Sequence, residues 1–314
     1  MNPTKALYVD WSMPRKFRGN KNLSKKPWEI ALIIRTTYFA REVNSLSPIL
    51  YCDPEIYEYY KNIGLDKCFD EVHPVLPTNP GFNPSIFWSA GKFLAIREMK
   101  DPFLMIDLDA ELRFPLDFSD CDVFCAHAEE INPNDLIYYP DPSYLAPNYM
   151  LDKYGTEWDN IAYNTCLLYF KDLSVAKRYA DEALKFIETL PSINPAFEGG
   201  YVLLAEQRFL RRMCEDEDLK VKTLISGVYK TEDPLRKIPS YFEDSDVEEI
   251  GKRGFLHVWG FKTKLHNMEE SEQELFGNLI SSRLNLKDHI IECVKNNRIM
   301  YTNETIIQQV SIDT

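Results

Sequence analysis

An α/β fold is predicted for this chain of 314 residues by two patterns. Through roughly the first 130 residues, short apolar runs of strand length alternate with longer segments whose apolar residues recur at helical spacing. The run Phe103-Leu104-Met105-Ile106 is apolar at every position, as expected of a strand covered on both faces of a sheet. With 45% hydrophobic and 13% aromatic residues, the chain can bury a sizeable core.

The first strand covers 6–9 and leads through Asp10 and Trp11 into the one strongly basic segment, which carries Arg15, Lys16, Arg18, Lys21, Lys25 and Lys26. A loop after the first strand of an α/β sheet lies at the edge where ligands bind, so these cations could meet a diphosphate, and Tyr8, Asp10 and Arg15 are candidates for contact with the nucleotide. A solvated loop accounts for the same charges more plainly. Helical spacing over 28–43 is broken by Ser47-Pro48 ahead of a strand at 49–51, and Asp53-Pro54 opens a helix that Gly64 closes. A third strand is expected at 71–76, an irregular proline-containing loop at 77–84, and a helix at 85–99 that feeds the strand at 103–106.

Beyond it, 122–126 reads as a strand and 129–160 as a long irregular insertion. Its aromatics Tyr138, Tyr139, Tyr144, Tyr149, Tyr154 and Trp158 suit either stacking on sugar rings or packing of the loop on its own domain. A strand at 161–170, an amphipathic helix at 173–190 ended by Pro191, and a helix from Glu198 to about Cys214 follow. Late strands are expected at 221–225 and 254–259, on either side of an acidic loop. Residues 1–267 thus read as one domain and 268–314 as a helical tail or lid.

The formal net charge of −13 opposes binding to nucleic acid and to anionic membranes, though a peripheral membrane association stays open. The seven cysteines are odd in number and include no C-x-x-C pair, so they read as reduced core thiols. Neither a signal segment nor an apolar run of roughly 18 residues is present, and a cytoplasmic protein is expected.

Asp107 and Asp109 stand two positions apart where the central apolar run ends. Strand period would point both the same way, and paired carboxylates at a strand's carboxyl end suit Mg²⁺ or Mn²⁺, which take oxygen ligands and keep places for phosphate oxygens. An isolated D-x-D is also found in plain acidic turns.

Three further segments accompany it in order. Lys92 lies on the helix ahead of the D-x-D strand; Ala162-Tyr163-Asn164-Thr165-Cys166 has the outline of an F-N-x-G-V strand; Ala205-Glu206-Gln207-Arg208 has that of a D-Q-D helix. Last comes His257-Val258-Trp259-Gly260-Phe261-Lys262-Thr263-Lys264, close to H-x-x-G-x-x-K with the lysine one place late. Over roughly residues 5 to 266 this series resembles glycosyltransferases of the GT-A fold, most of all the family of glycogenin and bacterial lipopolysaccharide galactosyltransferases. The resemblance implies a mixed, mostly parallel central sheet flanked by helices. It also implies metal-dependent transfer of a hexose from a nucleotide diphosphate sugar, a UDP-sugar favoured, to a glycan or other hydroxyl acceptor, as in surface polysaccharide synthesis.

By the same resemblance, Asp107 would touch the ribose or the metal, Asp109 and His257 would ligate Mn²⁺ or Mg²⁺, and Asn164 would face the donor sugar. Lys92, Lys264 and Arg15 would add positive charge where the diphosphate departs. For His257 a core histidine is the competing account, and for Lys92 a surface lysine. An inverting reaction also needs a carboxylate base, for which Glu198, at a helix start beside two glycines, and Glu206 are candidates; a retaining one does not. Competing readings are a sugar-phosphate nucleotidyltransferase and a glycan-binding protein that keeps the fold without turnover.

Overall fold

The computed structural model describes residues 2–20, 22–131, 140–190, 193–226, 228–230 and 255–257. Its strands are β1 (Lys5–Asp10), β2 (Ser47–Cys52), β3 (Glu71–His73), β4 (Phe103–Ile106), β5 (Ala110–Leu112), β6 (Val123–Glu130), β7 (Ile161–Phe170), β8 (Val221–Thr223), β9 (Val228–Lys230) and β10 (Phe255–His257). The main sheet runs β3-β2-β1-β4-β7-β6-β8, with β9 also paired to β6, and β7 is the one strand antiparallel to its neighbours. β5 and β10 form a separate antiparallel ribbon. This is the mixed, mostly parallel sheet between helices that the GT-A resemblance implies.

Period two divides the strands' apolar residues between two cores. Leu7, Ile49, Phe103 and Met105 pack on one face, and Ala6, Leu50, Leu104 and Ile106 on the other. The helices are α1 (Met13–Phe17), α2 (Pro27–Glu42), α3 (Pro54–Ile63), α4 (Ala90–Glu98), α5 (Pro142–Leu145), α6 (Asn148–Tyr154), α7 (Leu173–Thr189), α8 (Glu198–Leu203) and α9 (Phe209–Asp216). α4, α7 and α9 cover the first face through Phe93, Tyr179 and Phe209; α2 and α3 cover the second through Ile33, Ile56 and Tyr60. Helix ends follow local chemistry: the Asp53 side chain accepts from the Glu55 and Ile56 amides at the start of α3, and Gly64 closes it at φ 73°.

Several boundaries differ from expectation. The third strand stops at His73, where Pro74 follows and the Val75 amide turns back onto the His73 carbonyl. α4 begins only at Ala90, because the Asn83 side chain accepts from the Ser85 amide and hydroxyl and holds the preceding residues in a turn. β6 continues to Glu130, since the ten-residue β7 offers it partners as far as Ile161. The insertion is therefore shorter than 129–160 and partly helical, in α5 and α6. Tyr154 packs edge-on against Phe209 at 5.2 Å, and Tyr144 stacks on Phe197 at 6.1 Å, so these aromatics face the domain's own rings. Tyr138, Tyr139, the acidic loop of 243–249 and the tail of 268–314 lie outside the described residues.

Cys52, Cys68, Cys121, Cys125, Cys166 and Cys214 are free and buried. Among the described residues no helix is long and apolar enough to cross a membrane. The insertion is clamped where it meets α8: a β-carbon on Gly200 would lie 2.6 Å from Pro140 Cδ, and buried Arg208 donates to the Pro140 carbonyl at 2.7 Å. Gly200→Ala is expected to cost about 1–3 kcal/mol of stability in urea unfolding; an unchanged midpoint would mean that Pro140 yields freely.

Candidate functional site

β4 ends at Ile106, and the two aspartates lie in a turn rather than on the strand itself. The Asp107 amide donates to the Cys166 carbonyl of β7 at 2.8 Å, and the Ala110 amide donates back to the Asp107 carbonyl at 2.8 Å. That turn launches β5, whose Ala110 is paired in register with His257 of β10. The imidazole Nε2 consequently sits 3.7 Å from Asp109 Oδ2, and one ligand atom from each of Asp107, Asp109 and His257 lies within 4.8 Å of the others. The Asp109 and His257 side chains are almost wholly buried. Three ligands on one face of an ion bound at roughly 2.1 Å lie about 3–4 Å apart, so small side-chain movements close this set around a divalent cation. Two carboxylates and an imidazole are a donor set that Mn²⁺ accepts well.

Lys92, projecting from α4, bridges the turn to the opposite wall. Its Nζ is 2.8 Å from Asp107 Oδ1 and 2.7 Å from Glu206 Oε1, which also accepts from the Thr165 hydroxyl at 2.5 Å. Burial acts to lower the Lys92 pKa, but the charges of Asp107 and Glu206 outweigh it and hold the amine above its ordinary range. Glu206 lies on a π-helical turn, Leu204–Arg208, between α8 and α9, and the Tyr179 hydroxyl donates to its main-chain carbonyl at 2.7 Å. Such turns recur at functional sites.

The other end of the site is built on Asp10, where β1 stops. Its carboxylate accepts from the Tyr60 hydroxyl at 2.7 Å and pairs with Lys25 at 2.7 Å and Arg15 at 3.4 Å. Burial pushes the Asp10 pKa up, and the charges of Lys25 and Arg15 with the hydrogen bonds of Lys25 and Tyr60 bring it below its ordinary value. A cavity of about 400 Å³ joins both ends and is lined by Asp10, Arg15, Lys25, Trp88, Ser89, Lys92, Asp107, Asp109, Asn164, Thr165, Glu206, Gln207 and His257. Asn164 is held from both sides, its Oδ1 accepting from the Cys166 amide at 3.1 Å and its Nδ2 donating to Glu129 at 3.3 Å. Ser89 Oγ and Gln207 Oε1 are buried without a hydrogen-bond partner among the described residues, and buried polar atoms of this kind call for a bound molecule or water.

Of the residues singled out in the sequence, Asp10, Arg15, Lys92, Asp107, Asp109, Asn164, Glu206 and His257 line this one cavity. Tyr8 does not. It lies two residues back from the strand end beneath α2, fully buried, and its hydroxyl donates to the Thr36 carbonyl at 3.0 Å, so it is a core residue. Glu198 is exposed at the start of α8 and outside the cavity lining, and the neighbouring Gly200 is explained by the approach of Pro140. Lys264 lies outside the described residues. Sequence reasoning missed Trp88, Ser89 and Thr165 as lining residues. Lys25 was one cation in a run of six with nothing to single it out, and Trp88 and Ser89 lie in the turn ahead of α4, where the sequence carried no signal for the site.

No curated protein matches the chain. Among solved structures it is similar to the inositol-1-phosphate CTP transferase from T. maritima, at 12% identity and TM-score 0.38 over 81% of this chain and 96% of that one. It is similar also to mouse xyloside xylosyltransferase 1 in its apo form, at 11% identity and TM-score 0.36 over 71% and 85% of the two chains. The glycosyltransferase GlyE of Streptococcus pneumoniae TIGR4 matches at 9% identity and TM-score 0.36 over 80% of this chain, which spans 52% of GlyE. Likeness of this degree assigns no activity. The sequence match over residues 65–280 is a different matter, and by it the chain belongs to the family of unknown function DUF6734.

Proposed function

We propose that the protein is a metal-dependent glycosyltransferase that moves a hexose from a nucleotide diphosphate sugar, a UDP-sugar favoured, to the hydroxyl of a glycan or other acceptor. One observation carries this reading: Asp107, Asp109 and His257 converge beside Lys92 in a cavity whose far end holds Asp10, Arg15 and Lys25. A bound Mn²⁺ or Mg²⁺ would be held by the three ligands and supply Lewis-acid neutralisation of a departing diphosphate.

The chain's own groups do the rest. Lys92 stands beside the ligands with a charge that burial does not remove, placed to meet negative charge as it develops. Asp10, with Lys25 and Arg15, lines the end assigned to the nucleotide, and Asn164, immobilised by its two hydrogen bonds, is assigned to the donor sugar. Glu206 is preferred over Glu198 as the catalytic carboxylate, because it is the one that lines the cavity. The nucleotidyltransferase alternative calls for a glycine-rich basic loop directly after β1. Here that segment begins as helix α1, and its Arg15 is turned onto Asp10.

Calorimetry with UDP, GDP, CDP and ADP, each with and without Mn²⁺, is expected to show one diphosphate bound and only in the presence of metal; no binding across the panel sinks the reading. Asp109→Ala should lose that metal-dependent binding while its melting temperature stays within a few degrees of wild type. Glu206→Gln should still bind donor but turn over about 10²-fold more slowly or worse, and wild-type turnover in this variant would remove Glu206 from the chemistry.

A further inference from the structure

We infer that Arg35 positions Asp109 and His257 for the metal through Glu111, although neither Arg35 nor Glu111 lines the cavity; the inference rests on the metal reading above. Arg35, on α2, and Glu111, the middle residue of β5, are both 0% exposed. They meet as a two-pronged pair, Nε donating to one carboxylate oxygen at 2.5 Å and Nη2 to the other at 2.5 Å. Arg113 donates to the same carboxylate.

The place of this pair in the fold gives it a use. Glu111 stands opposite Leu256 in the β5–β10 ribbon, and the next rung pairs Ala110 with His257. Asp109 is the residue immediately before β5. The carboxylate gripped from α2 therefore sits on the strand whose start presents one ligand and whose pairing presents another.

Stability alone does not account for the pair. Taking both charges out of water offsets most of their attraction, and well-packed apolar replacements of buried ion pairs are often as stable or more so. Register is a better account. β5 is three residues long, too short to hold the ribbon's alignment by itself, and a slip of one residue would send His257 to the opposite face. An apolar contact resists such a slip weakly, whereas a forked guanidinium–carboxylate pair has one geometry.

The decisive variant is the double substitution Arg35→Met with Glu111→Met, which removes both charges at similar volume. Its readouts are melting temperature, calorimetric affinity for Mn²⁺ alone, and amide hydrogen exchange at residues 255–257. The expected result is a cooperatively folded protein with a melting temperature near or above wild type, Mn²⁺ affinity about tenfold or more weaker, and faster exchange at 255–257. Unchanged affinity and exchange in the folded variant would overturn the inference. Should the double variant fail to fold, Arg35→Lys, which keeps the charge and loses the fork, is read by the same measurements with the same two outcomes. Wild-type protein that binds no Mn²⁺ would instead refute the metal reading. Exchange then decides the positioning alone: faster exchange in the variant upholds it and unchanged protection overturns it.

Discussion

The hydrogen bond from the Asp107 amide to the Cys166 carbonyl is where the architecture becomes a site. It carries the ladder between β4 and antiparallel β7 one step past Ile106, and the bond from the Ala110 amide to the Asp107 carbonyl then turns the chain out of the sheet. The three candidate metal ligands depend on that departure. Asp107 and Asp109 are presented by the turn, β5 is launched toward β10, and Asn164 and Thr165 are brought to the same edge by the strand that accepts the bond.

Among the described residues the cavity is lined by three cations, Arg15, Lys25 and Lys92, and by five carboxylates, Asp10, Glu29, Asp107, Asp109 and Glu206, so its formal charge has the same sign as that of the whole molecule. A chain of net charge −13 should repel a diphosphate. Yet Arg15, Lys25 and Lys92 all reach the cavity, each holding a carboxylate: Asp10 for the first two, and Asp107 with Glu206 for the third. Paired in this way the cations are fixed in place before any ligand arrives, and an incoming anion meets oriented charge without the cost of ordering long side chains.

The sheet, the order of its elements and the D-x-D were legible because their signals are local: an apolar run, a proline, a glycine closing a helix. β4, β7, α3 and α7 lie almost where their periodicity puts them. What could not be read depends on neighbours distant in sequence. The length of β6 is decided by β7, the burial of Tyr8 by α2, and the helix break at Glu206 by the fit of two helices against different surfaces. Asp107 and Asp109 lie close together, but a turn and not strand alternation brings them there. Lys25 was indistinguishable from its basic neighbours until Tyr60 and Asp10 were seen to frame it.

The π turn at Leu204–Arg208 solves a problem of phase. Before it, α8 must turn Gly200 toward Pro140 of the insertion; after it, α9 must lay Phe209 against Tyr154 and Tyr179. A regular helix advances by a fixed angle per residue, so one choice of rotation serves both ends only by chance. The widened turn, in which the Phe209 amide reaches back to the Leu204 carbonyl, resets that angle by one residue. Glu206 and Gln207 occupy the adjustment itself, so the segment that joins the two phases is also the one that lines the cavity. The loop on one side of the helix and the cavity on the other are thereby geared to each other through the rotation of a single rod.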